Sequence, residues 1–218
     1  MVPGFGAAAG RIYTTHQTGV PVLTQVRAVG APFRATVVAF ALLLAARAGA
    51  QQQQGEAALD VKSAAHVRAE YLADLDTLHA KIVDLAKAIP ADKYNWRPSA
   101  DVRTIAQVLM HVASEFYYYT PRSIGGQGPA DYGPAQAKNA ALEKISTKPE
   151  VLDHLDKSWA HTKSQFAASD PSKLTGSYQP WNMPLDRAAF NMDGDLHEHL
   201  GQLIAYARSV GVKPPWTK

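Results

Sequence analysis

The sequence predicts an all-α protein, a four-helix bundle with crossover connections, and two observations support this fold class. Four segments carry apolar residues three or four positions apart, which is the period of an amphipathic helix, and no segment shows the strict alternation of a half-buried strand. Long connections rich in glycine and proline separate the helical segments, which favours crossovers over a series of helical hairpins. The 218 residues are enough for one domain with its own core.

The first fifty residues are expected to lie outside this fold. An apolar run over 35–46 follows Arg34 and precedes Ala48, Gly49 and Ala50. A positive charge, a short apolar core and a small-x-small site together form the pattern of a secretory signal peptide. At ~1.5 Å per residue the run reaches only ~18 Å, short of a ~30 Å hydrocarbon core. A buried core helix is the alternative, but it leaves no place for Arg47 or for the glutamines at 51–54.

We therefore expect cleavage after Ala50 and a secreted or periplasmic protein with no stable membrane anchor. Residues 51–62 would then form a linker and residues 63–218 the bundle. The first fifty residues contain four arginines and no acidic residue, so the rest of the chain has 18 basic and 19 acidic residues. No basic surface is left to suggest a nucleic-acid partner. The absence of cysteine excludes disulfides, thiolate metal ligands and a cysteine nucleophile.

The first two helices have clear boundaries. Helix one is predicted over 64–88 and ends before Pro90. Its apolar stripe consists of Val67, Tyr71, Leu75, Leu78, Ile82, Leu85 and Ile89. Helix two opens with a capping box formed by Thr104 and Gln107 and runs to the residues before Pro121. A long flexible loop is expected over 124–137, where Gly-Gly and Gly-Pro pairs cluster.

Helices three and four complete the bundle. A second capping box, formed by Thr147 and Glu150, predicts the start of helix three. An irregular connection is expected over 170–191, followed by helix four from about Asp193 to Val210 with Gly211 as its C-cap. The apolar stripe of helix four consists of Leu196, Leu200, Leu203, Ile204 and Ala207.

Histidines at helical spacing are the candidate site residues. Asp195 and His199 are four residues apart on helix four, and His111 and Glu115 are four apart on helix two, so each pair lies ~5–6 Å apart on one helix face. If both faces meet, His111, Asp195 and His199 could form a site of two histidines and one carboxylate. Histidines beside an apolar stripe are more commonly surface or hydrogen-bonded residues, so the spacing alone leaves both interpretations open.

His197 is not expected to join that site. Two helical steps place it ~200° from His199, on the opposite flank of the apolar stripe. We therefore expect the side chains of His111, Asp195 and His199 to converge within about 5 Å of one point. His197 should point to solvent or to a separate hydrogen bond.

Two segments carry a resemblance to a known family. Residues 195–216, DLHEHLGQLIAYARSVGVKPPW, and residues 94–113, YNWRPSADVRTIAQVLMHVA, resemble the two signatures of the DinB-like family, in the expected order. The resemblance implies a four-helix bundle and a divalent metal held by His111, position 195 and His199. Position 195 is Asp where the family's common pattern has His. A carboxylate there still binds zinc, nickel, manganese or iron and favours the harder metals.

The resemblance also implies two alternative functions. The family includes thiol-dependent transferases, isomerases of thiol adducts and members of unknown activity. The first hypothesis is a secreted metal-dependent hydrolase or transferase with a small-molecule substrate. Glu115 would be its general base or would support the ligands, and Tyr118 and Tyr206 would line its pocket. The second is a non-catalytic helical bundle, a binding or stress-associated protein with a degenerate metal site. A homodimer is compatible with both hypotheses.

Overall fold

The computed structural model describes residues 59–175 and 182–217, and these residues form one compact unit. Its helices are α1 (Val61–Ala88), α2 (Ile105–Ser114), α3 (Ala135–Leu142), α4 (Lys148–Ala168) and α5 (Leu185–Ser209). Short 3-10 turns lie at Ala91–Lys93 and Pro171–Thr175. No strand occurs in these two ranges, so the predicted all-α class is confirmed. The predicted signal peptide and its cleavage site lie outside the described residues.

The ends of α1 follow from local hydrogen bonding. The Asp60 carboxylate accepts hydrogen bonds from the backbone amides of Lys62 and Ser63, at 2.9 and 3.0 Å, and so caps the helix start. The helix ends at Ala88, before Pro90, as the sequence predicts.

The capping box at the start of α2 is confirmed. The Gln107 amide donates to Thr104 Oγ1 at 3.2 Å, and the Thr104 amide donates to Gln107 Oε1 at 2.8 Å. Beyond Ser114 the helix widens into a π-helical segment, Glu115–Tyr119, and ends with one α-helical turn, Thr120–Arg122. Turns of the π type occur frequently at functional sites.

Two details of the predicted connections are wrong. The loop expected over 124–137 gives way to α3 at Ala135, where an alanine-rich segment with high helix propensity follows Pro134. The capping box expected at Thr147 does not form, because the Thr147 hydroxyl donates to the Glu150 carboxylate and caps no backbone amide of α4.

The last helix is longer than the sequence predicts. It begins at Leu185 rather than near Asp193, within the connection that was expected to be irregular. Its first turns are stabilised by a small apolar cluster in which Leu185 and Ala188 pack with Ala64 and Leu174. At the other end Gly211 has a φ of +82°, which confirms the predicted C-cap.

The main core lies among α1, α2, α4 and α5. Helix α1 packs against α4 and α5, α2 packs against the same two helices, and α3 covers part of α2. The largest fully buried side chains of this core include Tyr94, Phe116, Phe166, Leu75, Leu78 and Ile82. These contacts bring α2 and α5 side by side. The crossover arrangement of the connections remains a prediction. Within the described part of the chain, no helix is both long enough and apolar enough to span a bilayer.

Candidate metal centre

A group of three side chains lies where α2 and α5 meet. His111 and Glu115 come from α2 and its π-helical extension, and His199 comes from α5. One ligand atom of each residue lies within 4.8 Å of the other two. Glu115 Oε1 is 3.3 Å from His111 Nε2 and 3.4 Å from His199 Nε2. The Glu115 side chain is only 3% exposed, so the carboxylate forms the floor of the group.

Local helix geometry explains why the three residues meet. The apolar stripe of α2 is fully buried at Val108, Val112 and Phe116. His111 and Glu115, one turn apart, form a row at the edge of that stripe. His199 occupies the matching edge of α5, beside the buried Leu196 and Leu200. Burial of the two apolar stripes therefore brings the two polar rows together.

The outer nitrogen of His111 faces an acidic residue that the sequence analysis missed. Glu143, at the C-terminal end of α3, places Oε1 3.2 Å from His111 Nδ1. Arg103 holds this carboxylate with its guanidinium nitrogens, at 3.1 and 3.2 Å. No spacing pattern along the chain pairs Glu143 with His111, because the contact depends on how α3 packs on α2.

The outer nitrogen of His199 also faces an acceptor, in this case on its own helix. Gln202 Oε1 lies 3.4 Å from His199 Nδ1, and Gln202 Nε2 donates to the Tyr206 hydroxyl at 3.1 Å. The Tyr206 ring packs edge to face against Trp96, with centroids 5.4 Å apart. Tyr206 therefore supports the orientation of His199 through Gln202. The helical period predicts that these three side chains lie in one row along α5.

Asp195, the predicted carboxylate ligand, lies beside this group and is not one of its three members. Its Oδ1 is 3.9 Å from His199 Nε2, and its side chain is 46% exposed. Burial, together with the nearby Glu115 carboxylate, raises the pKa of Asp195 to about 6. Burial alone would also raise the pKa of Glu115, but hydrogen bonds from His111, His199 and Asp195 lower it to about 2.

The other predicted residues lie further away. The Tyr118 ring stacks on Tyr132, with centroids 5.3 Å apart, and lies under the Arg122 guanidinium at 5.1 Å. Its role in lining a pocket stays a prediction. His197 Nε2 lies 2.7 Å from Asp74 Oδ2, so this histidine makes a separate hydrogen bond away from His199, as its position on the helix predicts.

The donor set fits a divalent metal ion. Two imidazole nitrogens and a carboxylate oxygen are ligands that zinc, iron, nickel and manganese accept in proteins. Ligand atoms ~2.1 Å from a tetrahedral ion are ~3.4 Å apart. The separations of 3.3 and 3.4 Å between Glu115 and the histidines match this value. The second carboxylate oxygen, Glu115 Oε2, is buried and has no hydrogen-bond partner among the described residues. This oxygen is therefore also available as an acceptor or ligand.

The fold and the site together define a helical protein with a two-histidine, one-carboxylate group between two helices. A family model of the DinB superfamily matches residues 74–203, which is more than half of the chain, so the chain belongs to the DinB superfamily. The match runs from α1 to α5 and includes His111, Glu115 and His199. Proteins of this superfamily are typically metal-binding. A search of curated proteins finds no match.

Proposed function

We propose that this protein is a metal-dependent enzyme, a hydrolase or transferase acting on a small molecule. In this proposal His111, Glu115 and His199 hold one divalent ion. The observation that carries it is the orientation of both imidazoles. Each directs Nε2 to Glu115 Oε1 and has Nδ1 near an oxygen acceptor, which is Glu143 for His111 and Gln202 for His199.

The charge distribution favours a cation at this point. The Gln202 acceptor beside His199 Nδ1 favours the tautomer with the proton on Nδ1, which leaves a lone pair on Nε2. The Glu143 carboxylate favours the same tautomer of His111 by its charge, at 3.2 Å from Nδ1, although His111 Nδ1 makes no hydrogen bond with it. With the proton on Nδ1, each Nε2 lone pair, 3.3–3.4 Å from the ionised Glu115 oxygen, would be directed at a bound ion in a largely buried site. Without an ion, a proton on Nε2 lets each histidine donate to Glu115, and a divalent cation would displace these protons. Outer acceptors of this kind orient metal-ligating histidines in many proteins.

The chemistry of the site follows from its open side. A bound divalent ion supplies Lewis acidity and lowers the pKa of a coordinated water or thiol. The half-exposed Asp195 carboxylate lies next to His199 and is placed to accept a proton from the attacking group. This proposal exchanges the roles that the sequence suggests, since Glu115 becomes a ligand and Asp195 the base.

Metal analysis of purified variants tests the ligand assignment. We expect about one ion per chain in the wild type grown with the metals supplied, and little or none in His199→Ala or Glu115→Gln. Asp195→Asn should keep its ion. His66→Ala is the control, because His66 is exposed and belongs to neither group of possible metal ligands, whereas His197 forms a second such group with Asp74 and Asp193. A metal-free wild type would overturn the proposal, and loss of metal in Asp195→Asn would restore Asp195 as a ligand.

An activity measurement tests the enzyme part separately. Hydrolysis of an activated ester such as p-nitrophenyl acetate, and thiol transfer to an activated aryl halide, provide two simple readouts. We expect at least one of these rates to fall on chelation, to return with added metal and to be lost in Asp195→Asn. If the wild type and the His199→Ala variant react at equal rates in both assays, the result would argue against catalysis at this site.

Export is part of the proposal and is supported by the charge and apolar pattern of residues 34–50. The protein recovered from its own host should begin at or near Gln51 when its N-terminus is sequenced. Recovery of the intact chain from the cytosol would contradict export.

A further inference from the structure

Helix α3 is held to the rest of the bundle by little buried surface. Leu142 is the only residue of Ala135–Leu142 that is buried, and no side chain caps the first turn of this helix. Isolated helices shorter than ~12–15 residues are marginal in water, so a helix of 8 residues depends on packing for its structure. Because α3 has so few buried contacts, we expect it to open locally more readily than α4 or α5.

The C-terminal end of α3 reaches the candidate metal centre through Glu143, the residue that follows Leu142. Glu143 Oε1 lies 3.2 Å from His111 Nδ1, and Arg103 pairs with the same carboxylate. His111 Nδ1 is nevertheless buried and makes no hydrogen bond within the described part of the chain. The strength of this contact therefore depends on whether Nδ1 carries a proton that Glu143 can accept.

The position of the His111 proton differs between the metal-free and the metal-bound site. Without an ion, a proton on His111 Nε2 is donated to Glu115, and the Nδ1 lone pair then faces the negative Glu143 carboxylate. When Nε2 is a metal ligand, the neutral imidazole carries its proton on Nδ1 and directs it to Glu143. The contact between His111 and Glu143 is therefore unfavourable in the first state and favourable in the second. A ligand shifts a conformational equilibrium only through such a difference.

We propose that the docking of α3 is coupled to metal binding, with Glu143 as the positioning residue that joins the two and Leu142 as the residue that holds α3 in place. This inference rests on the proposed metal centre. Occupation of the centre strengthens the docking of α3, and docked α3 strengthens metal binding by the same factor, because coupling between two equilibria is reciprocal. Helix α3 thus responds to the metal although it supplies no ligand.

Hydrogen exchange of the whole protein, followed by mass spectrometry, tests the effect of the metal on α3. Saturating Zn²⁺ added to the chelated wild type should slow amide exchange in residues 135–143 at least ~5-fold. Glu143→Gln, also saturated with Zn²⁺, should lose this slowing. Glu198→Gln is the matched control, because it changes an exposed glutamate on α5, and it should keep the slowing.

The same experiment separates failure of this inference from failure of the proposed function. Binding of Zn²⁺ with unchanged exchange in α3 would overturn the coupling and leave the metal centre intact. Absence of Zn²⁺ binding by the wild type would overturn the metal centre, and the coupling with it.

The Zn²⁺ affinity of α3 variants tests the reverse effect. Leu142→Ala removes no ligand and should lower the affinity several-fold, because α3 is then open for a larger fraction of the time. In the Glu143→Gln background the same substitution should have little further effect, since the connection to His111 is already lost. Leu85→Ala is the matched control, because Leu85 is a fully buried leucine of α1, and it should leave the affinity unchanged. Equal losses from Leu142→Ala in both backgrounds would indicate general destabilisation and would overturn the coupling.

A surface variant keeps the test valid if Leu142→Ala fails to fold. Ala140 is exposed on α3, and Ala140→Gly lowers the helix propensity without removing a buried contact. This variant should also lower the Zn²⁺ affinity, and again only when Glu143 is present. Faster exchange of α3 in Ala140→Gly with an unchanged Zn²⁺ affinity would contradict the coupling.

Discussion

The imidazole rings of His111 and His199 meet edge to face across the contact between α2 and α5, with centroids 4.9 Å apart and an interplanar angle of 86°. The buried Glu115 carboxylate lies within 3.4 Å of a nitrogen of each ring. This contact brings together residues 94–113 and 195–216, the two segments that resemble the DinB-like family, because His111 lies in the first and His199 in the second. It also makes the behaviour of the site testable by single substitutions.

Weakening the outer support of His111 should reduce metal affinity without removing a ligand. We expect Glu143→Gln to lower the affinity ~10–100-fold, because the carboxylate beside His111 Nδ1 orients the ring and makes Nε2 a better ligand. Metal titration with a competing chelator provides the measurement. Glu198→Gln, an exposed change on α5, should leave the affinity unchanged, and an equal loss in both variants would contradict a specific role for Glu143.

Metal should stabilise the folded protein. A ligand at a hundred times its dissociation constant adds ~2.7 kcal/mol to the free energy of unfolding. For a domain of this size that corresponds to a rise in melting temperature of ~5–10 °C. Thermal unfolding of the chelated protein, with and without added metal, should show this rise in the wild type. The rise should be absent in His199→Ala, and an equal rise there would place the ion elsewhere.

The π-helical segment depends on one threonine. In a π-helix the amide of residue i+5 donates to the carbonyl of residue i, but Pro121 has no amide hydrogen to donate to the Phe116 carbonyl. The Thr162 hydroxyl of α4 donates to that carbonyl instead. Thr162→Val should lower the free energy of unfolding by ~1–3 kcal/mol, because it leaves a buried carbonyl unpaired. Thr162→Ser keeps the hydroxyl and should lose less stability. Urea denaturation of both variants tests this order.

His79 should make the protein less stable in acid. Its ring stacks on Trp159 at 5.0 Å, lies 5.7 Å from Phe116, and donates from Nε2 to the Leu155 carbonyl at 3.3 Å. Burial lowers the pKa of His79 below 6.5, and Lys163 lowers it further. The Leu155 hydrogen bond and the charges of Asp156 and Asp76 act in the opposite direction, and the net shift is downward.

The sign of the effect follows from proton uptake. Below about pH 6.5 the imidazole of the unfolded chain takes up a proton that the folded protein still excludes, so the free energy of unfolding falls as the pH decreases. The slope from this group is at most ~1.4 kcal/mol per pH unit. His79→Gln keeps a donor and should reduce the pH dependence between pH 7 and 5 in urea titrations. The exposed His66→Gln is the control, and identical profiles for wild type and His79→Gln would refute the prediction.

Part of the fold follows from short-range patterns. The apolar period, Pro90 and the Thr104–Gln107 capping box predict α1 and the start of α2 correctly, because these signals act within one or two helical turns. Helix α3 was missed because it buries only Leu142 and therefore has almost no apolar stripe. The early start of α5 was missed because Leu185 and Ala188 pack against Ala64 and Leu174, which are distant in sequence.

The same division holds for the site. The sequence alone determined that His111 pairs with Glu115, that His199 pairs with Asp195, and that His197 faces away, because the helical period sets which side chains share a face. Only the tertiary structure decided that Glu115 lies between the two histidines, that Asp195 stays at the exposed edge, and that Glu143 supports His111. The physical reason is that these contacts join different helices, and their distances depend on how the apolar stripes pack against one another.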